Sequence, residues 1–150
     1  KLVMEQEYVE FISNTRLDEL VPDYDFRFSI PGQYDKVLQH ISVHRWFMGE
    51  RLKHSLTDDE AVLGWYKEVY LPLVRIIRKH AILQDFPSRT EMDLYLWIIE
   101  HRWYLAEERK RKVSLESAAI HYRSQFSKRG LRHFSQVFSW IKKKLTGKKG

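Results

Sequence analysis

Apolar residues recur along the chain with two different periods, and the change between them organises the first reading. Residues 2–13 (LVMEQEYVEFIS) set Val3, Tyr8, Phe11 and Ile12 among acids, the pattern of a short amphipathic helix. A second short turn covers Arg16–Leu20 and stops at Pro22. Between Asp23 and Ile30, Phe26, Phe28 and Ile30 alternate with polar neighbours, which reads as extended chain. Pro31-Gly32 breaks that segment. From Gln33 the period becomes helical. Tyr34, Val37, Leu38, Ile41, His44, Arg45, Met48 and Leu52 mark one face through about His54.

Thr57-Asp-Asp-Glu60 has the form of a capping box, and a helix over 58–71 follows with Ala61, Val62, Trp65, Val69 and Tyr70 at helical spacing. Pro72 cannot donate to the carbonyl of Glu68, so a kink or restart is expected there, before a second piece over 72–83. Phe86-Pro87 makes a turn. Thr90, with Asp93 three residues on, caps a helix running to about Lys112, and Ser114 caps another through Phe126. Gly130 introduces a last segment over 131–145. The expected fold class is mainly α. It divides into a short helix and extended lead-in over 1–32, a helical body over 33–128 and a basic amphipathic tail over 129–150.

Residues 38–69 align without a gap on 95–126 at an offset of 57. His44-Arg45-Trp46 falls on His101-Arg102-Trp103, Glu50 on Glu107, Lys53 on Lys110, and Thr57 on Ser114. The body is therefore read as a bundle of two related helical hairpins, a pseudo-repeat 38–69/95–126. Duplicated features are more often scaffold than catalytic machinery.

Composition narrows the classes further. The chain has 150 residues, 43% of them hydrophobic and 14% aromatic, and no cysteine. Disulfides, thiolate metal sites and thiol nucleophiles are excluded. No apolar run approaches a membrane span and no secretory leader precedes the helices, so a soluble cytoplasmic chain, or a piece of one, is expected. Charge is uneven. Residues 1–108 hold 13 Lys/Arg against 19 Asp/Glu, whereas residues 109–150 hold 13 against Glu116 alone. A mildly acidic body carries a strongly basic end, which points to an anionic partner or to the acidic face of the same or another chain.

Candidate chemistry is sparse. His40 and His44 stand four apart on one helical face, with His101 at the related position of the repeat, but no HExxH motif or ligand spacing accompanies them, and no metal is expected. The two Arg-Trp pairs fit phosphate and base contacts, yet serve equally as core anchors with Arg held by Glu50 or Glu107; the core reading is preferred. No nucleophile elbow or phosphate-binding glycine loop is present, and the acids 58–60 are explained by the helix dipole. No catalytic residue and no cofactor are therefore expected.

The tail says more. Leu131, Phe134, Phe138, Ile141 and Leu145 form one stripe, surrounded by Arg129, Arg132, Lys142, Lys143 and Lys144, with Trp140 near the polar boundary. Arg129, Arg132, Trp140, Lys142, Lys143 and Lys144 are the candidate nucleic-acid or anion-binding residues. The expected function is a non-enzymatic regulatory or interaction module that binds nucleic acid or another anionic assembly through this arm. The alternative is a peripheral membrane or membrane-complex subunit anchored by the tail. A protein partner or self-association is expected in either case.

At TRLDEL (15–20), PGQY (31–34), HISVHRWFMGE (40–50), WYKEVYLPLV (65–74) and ILQDFPSRTEMDLYLWIIEHRWYL (82–105), the chain resembles an uncharacterised helical region of bacterial proteins. That region often lies downstream of a ParB/sulfiredoxin-like domain, in proteins labelled transcriptional regulators. The resemblance spans about 5–126, with FPSRTEMDLYLW its most specific stretch, and leaves the tail uncovered. It implies a helical accessory domain in a nucleic-acid or regulatory context, with no catalytic residue to carry over. The opening segment would then be a linker from such a domain, whose own motifs this chain lacks.

Overall fold

Ser/Thr hydroxyls and left-handed lysines set the helix boundaries of this chain. The computed structural model describes residues 2–127, and the tail residues singled out above lie outside the described residues. Helix α1 spans Leu2–Thr15 and the single turn α2 spans Leu17–Leu20. Helix α3 spans Tyr34–Leu52, α4 spans Asp58–Trp65, a π-helical turn covers Tyr66–Tyr70, and α5 spans Leu71–Lys79. A 3₁₀ turn at Ile82–Asp85 leads to α6 (Glu91–Arg109) and α7 (Leu115–Phe126). The fold is all-helical among the described residues.

The hairpins α3–α4 and α6–α7 share several local features. Helices α3 and α6 each contain 19 residues. Both end on a left-handed lysine, Lys53 (φ 60°) and Lys110 (φ 53°), whose amides close on the carbonyls of Gly49 and Ala106. The Thr57 hydroxyl accepts from the Glu60 amide and the Ser114 hydroxyl from the Ser117 amide. Arg45 and Arg102 each reach back to a loop carbonyl, those of Leu56 and Val113. One difference is informative. The Met48 thioether on α3 packs into the space that Gly64 leaves on α4. The matching position in the second hairpin is His121, whose Nδ1 lies 2.8 Å from His101 Nε2.

The reciprocal capping box expected at Thr57 forms instead at Thr90. The Thr90 hydroxyl accepts from the Asp93 amide (3.1 Å), and the Asp93 carboxylate accepts from the Thr90 amide (2.8 Å). Asp93 is fully buried, and its other oxygen accepts from the Ser29 amide at 3.0 Å. The carboxylate thereby ties the extended lead-in to the start of α6.

Pro72 does not break the helix. The chain runs from Asp58 to Lys79 in helical conformation, and the π turn immediately before Pro72 widens the ladder where the ring would meet the Glu68 carbonyl. Helix α4 packs on α3, while α5 packs on α6 and α7, so one long helix serves both hairpins.

The core is continuous from the first helix to the last. Phe11, Leu17, Phe26 and Phe28 join Trp65, Tyr70, Leu73, Ile77, Tyr95 and Ala118 in a single buried cluster. The alternation over 24–28 has its expected consequence, with Phe26 and Phe28 turned inward, but the segment pairs with no strand. Residues 2–32 thus contribute side chains to the core. Tyr24 fastens this segment to the long helix: its hydroxyl donates to Glu91 at 2.9 Å, shares a hydrogen bond with the Tyr70 hydroxyl, and Glu91 also takes two bonds from Arg78.

Candidate functional site

Helices α3 and α6 do not close on each other along their length, and a groove of about 500 Å³ remains between them. This volume is in the range of ligand sites. Its walls combine Val43 and Phe47 from α3, Ile99 and Trp103 from α6, and Val69 from the π turn. Its polar lining consists of Lys36, Gln39, His40, His44, Glu100 and Arg102, with the hydroxyl end of Tyr95 beneath.

Three buried or half-buried groups form a directional chain at the floor. The Trp65 indole N–H donates to the Tyr95 hydroxyl at 2.9 Å, and the same hydroxyl lies 2.8 Å from His40 Nδ1. An indole nitrogen can only donate, so the Tyr95 oxygen accepts there, and the buried hydroxyl proton has His40 Nδ1 as its acceptor. His40 Nδ1 must then accept, which places the imidazole proton on Nε2 at the ring's outer edge. Burial holds His40 below its ordinary pKa, with the neighbouring Glu100 acting weakly the other way. Burial keeps the Tyr95 phenol protonated well above the usual range. His40 is therefore presented as a neutral imidazole of fixed tautomer, edge-on to the Trp103 ring at 5.2 Å.

His44 lines the same groove one helical turn further on. Its Nε2 lies 3.0 Å from Glu68 Oε2, yet the two are not aligned as a hydrogen bond, and Nε2 is buried without one. Glu68 instead takes bonds from Arg51 at 3.0 and 3.3 Å. At the rim, Lys36 pairs with Glu100 at 3.5 Å. Arg102, also in the lining, is held through Nε by the Val113 carbonyl at 2.7 Å.

The histidines are not brought together as a set. His40 and His44 share the groove, but His101 packs against His121 with ring centroids 5.0 Å apart, beside Tyr122 and Phe126. Among the described residues no three His, Cys, Asp or Glu side chains are grouped to hold a metal ion. Burial, and then His121, keep His101 below its ordinary pKa.

The tryptophans of the two Arg-Trp pairs are not core anchors. Trp46 is 61% exposed and Trp103 is 56% exposed. Each stands two residues before a buried partner, Met48 or Leu105, and two residues along a helix turn a side chain to nearly the opposite side. Trp65 and Tyr95 occupy the core instead. Neither arginine uses Glu50 or Glu107: Arg45 bonds Asp58 and the Leu56 carbonyl, and Arg102 bonds Val113. The groove itself escaped the sequence reading because its walls come from two distant helices. The one available signal was His40 and His44 at helical spacing beside exposed aromatic positions.

Residues 58–126 match the family described as Domain of unknown function (DUF4032). That span includes α4 through α7 and the α6 wall of the groove, but not α3. No curated protein and no solved structure matches the chain. No helix among the described residues is long and apolar enough to cross a membrane.

Proposed function

We propose that this protein is a non-enzymatic interaction module of regulatory type, which engages nucleic acid or another anionic assembly through its basic C-terminal arm. The observation that carries this reading is the separation of charge along the sequence. Residues 128–150 hold eight Lys/Arg and no Asp or Glu, whereas the preceding chain is net acidic. A polyanion is attracted to the arm and repelled by the body, which favours docking by the arm alone. Arg129, Arg132, Lys142, Lys143 and Lys144 supply phosphate contacts, and Trp140 stacks or anchors. No base-reading motif accompanies them, so binding is largely indifferent to sequence. The regulatory context belongs to the same proposal and rests on the sequence resemblance.

The test is fluorescence anisotropy of a labelled mixed-sequence duplex and of a single strand, with the full chain and a Lys142→Gln/Lys143→Gln/Lys144→Gln variant. Each phosphate contact contributes about 0.9 to the slope of log K against log salt, so the variant should lower the slope by roughly 3. Absence of binding to either nucleic acid at low salt refutes the nucleic-acid reading. Binding to anionic but not neutral vesicles, with a blue shift of Trp emission, would then assign the arm to a membrane surface.

A further inference from the structure

We propose that the groove between α3 and α6 is a binding site for a small molecule consisting of a planar aromatic ring that carries an anionic group. This site is separate from the basic arm. Two features of the groove specify the ligand.

The first is its pair of exposed rings. Phe47 on α3 is 59% exposed and Trp103 on α6 is 56% exposed, and both line the same cavity. Large aromatic faces left to solvent at the mouth of a cavity are costly for a free surface and are suited to stacking on a flat ring. Val43, Val69 and Ile99 extend the apolar lining between them.

The second is an excess of donors. The Trp65–Tyr95–His40 chain fixes an N–H on His40 Nε2, away from the buried Tyr95 hydroxyl. Lys36 and Gln39 add further donors, and Arg102 adds positive charge to the lining. The one carboxylate in the lining, Glu100, is already paired with Lys36 at 3.5 Å. A ligand that fills this set brings acceptors and negative charge. A cationic ligand would meet Lys36 and Arg102 with no free carboxylate in the lining to receive it.

A carboxylate on an aromatic acid and a phosphate on a nucleotide supply the same chemistry, so the experiment uses both. Adenosine monophosphate and indole-3-acetate are titrated into the full chain at low salt, beside the neutral counterparts adenosine and indole-3-acetamide. Binding is read by calorimetry and by amide shifts. We expect at least one anionic probe to bind roughly tenfold more tightly than its neutral counterpart, with shifts confined to α3, α6 and the π turn. Trp103→Ala should weaken that binding about tenfold, a typical loss for one stacking face. Lys36→Ala should remove the preference for the anion. Both side chains are at the surface, so both variants should remain folded, which their circular dichroism checks; Val9→Ala, on α1 and outside the groove, should bind as the wild type does. Preference for the nucleotide or for the aromatic acid identifies the source of the ligand. The proposal is overturned if neither anionic probe binds at millimolar concentration, if the neutral probes bind equally well, or if Trp103→Ala leaves binding unchanged.

Discussion

Replacing Tyr95 by Phe removes one oxygen from the floor of the groove and interrupts the Trp65–Tyr95–His40 chain. The ring is fully buried, so the phenyl group should keep its packing against Trp65 and Tyr70. The Trp65 indole N–H, also fully buried, loses its acceptor at 2.9 Å. An orphaned buried donor costs about 1–3 kcal/mol. His40 is only half-buried, and its Nδ1 can turn to water, so its share is smaller. The expected loss is about 2 kcal/mol, which for a chain of this length lowers Tm by roughly 4–8 °C. Urea unfolding, followed by Trp emission, should show a lower midpoint at unchanged m. Long-range imidazole correlations should show His40 protonated on Nε2 in the wild type and redistributed between its two nitrogens in the variant. The double variant Trp65→Phe/Tyr95→Phe separates causes: with no indole N–H to orphan, loss of the hydroxyl should cost much less in that background. If Tyr95→Phe changes stability by less than about 0.5 kcal/mol and His40 keeps its tautomer, the direction assigned to these hydrogen bonds is wrong.

Other regions make equally specific predictions. His40 and His101 are both held below the ordinary histidine value, so the unfolded chain binds protons more readily. Their contribution is present above about pH 6.5 and declines as pH falls through that value toward the lower folded pKa, and urea midpoints compared at about pH 7.5 and pH 5.5 should show it. Asp93→Ala strips an acceptor from the Ser29 and Thr90 amides and should cost about 2–4 kcal/mol, with increased amide exchange at both ends of that tie. Lys110→Gly replaces a side chain at φ 53° by the residue best suited to left-handed backbone and should stabilise by up to about 1 kcal/mol in chemical denaturation.

How far the sequence discloses this molecule depends on the range of the forces involved. Caps at Thr90 and Ser114, and the end of α3 near Leu52, are decided within a few residues, and composition alone locates them. The inward alternation of Phe26 and Phe28 is equally local, although what they bury against is not. Pro72 shows the limit: the proline announces a disturbed ladder, but a surrounding core keeps the helix running through a π turn. Trp46 and Trp103 fail differently, because hydrophobic character predicts burial only where a neighbouring element exists to cover the ring. The groove is less legible still, since the tautomer of His40 is set by Trp65 and Tyr95, residues that lie 25 and 55 positions away.

The π turn also determines where the chain can tolerate a change of length. In a helix, one residue more or less is a rotation of about 100° for everything downstream. A π turn absorbs one extra residue, so a deletion between Tyr66 and Tyr70 would let the turn close to α geometry with Leu73, Val74 and Ile77 still on α6 and α7, whereas a deletion within α5 before Leu73 would swing them off. The loops at 53–57 and 110–114 carry no such phase. An added residue there changes closure entropy by only a few tenths of a kcal/mol. Relatives of this chain should therefore vary in length at the hairpin tips and, by one residue, at the π turn, and hold it constant along the rest of the long helix.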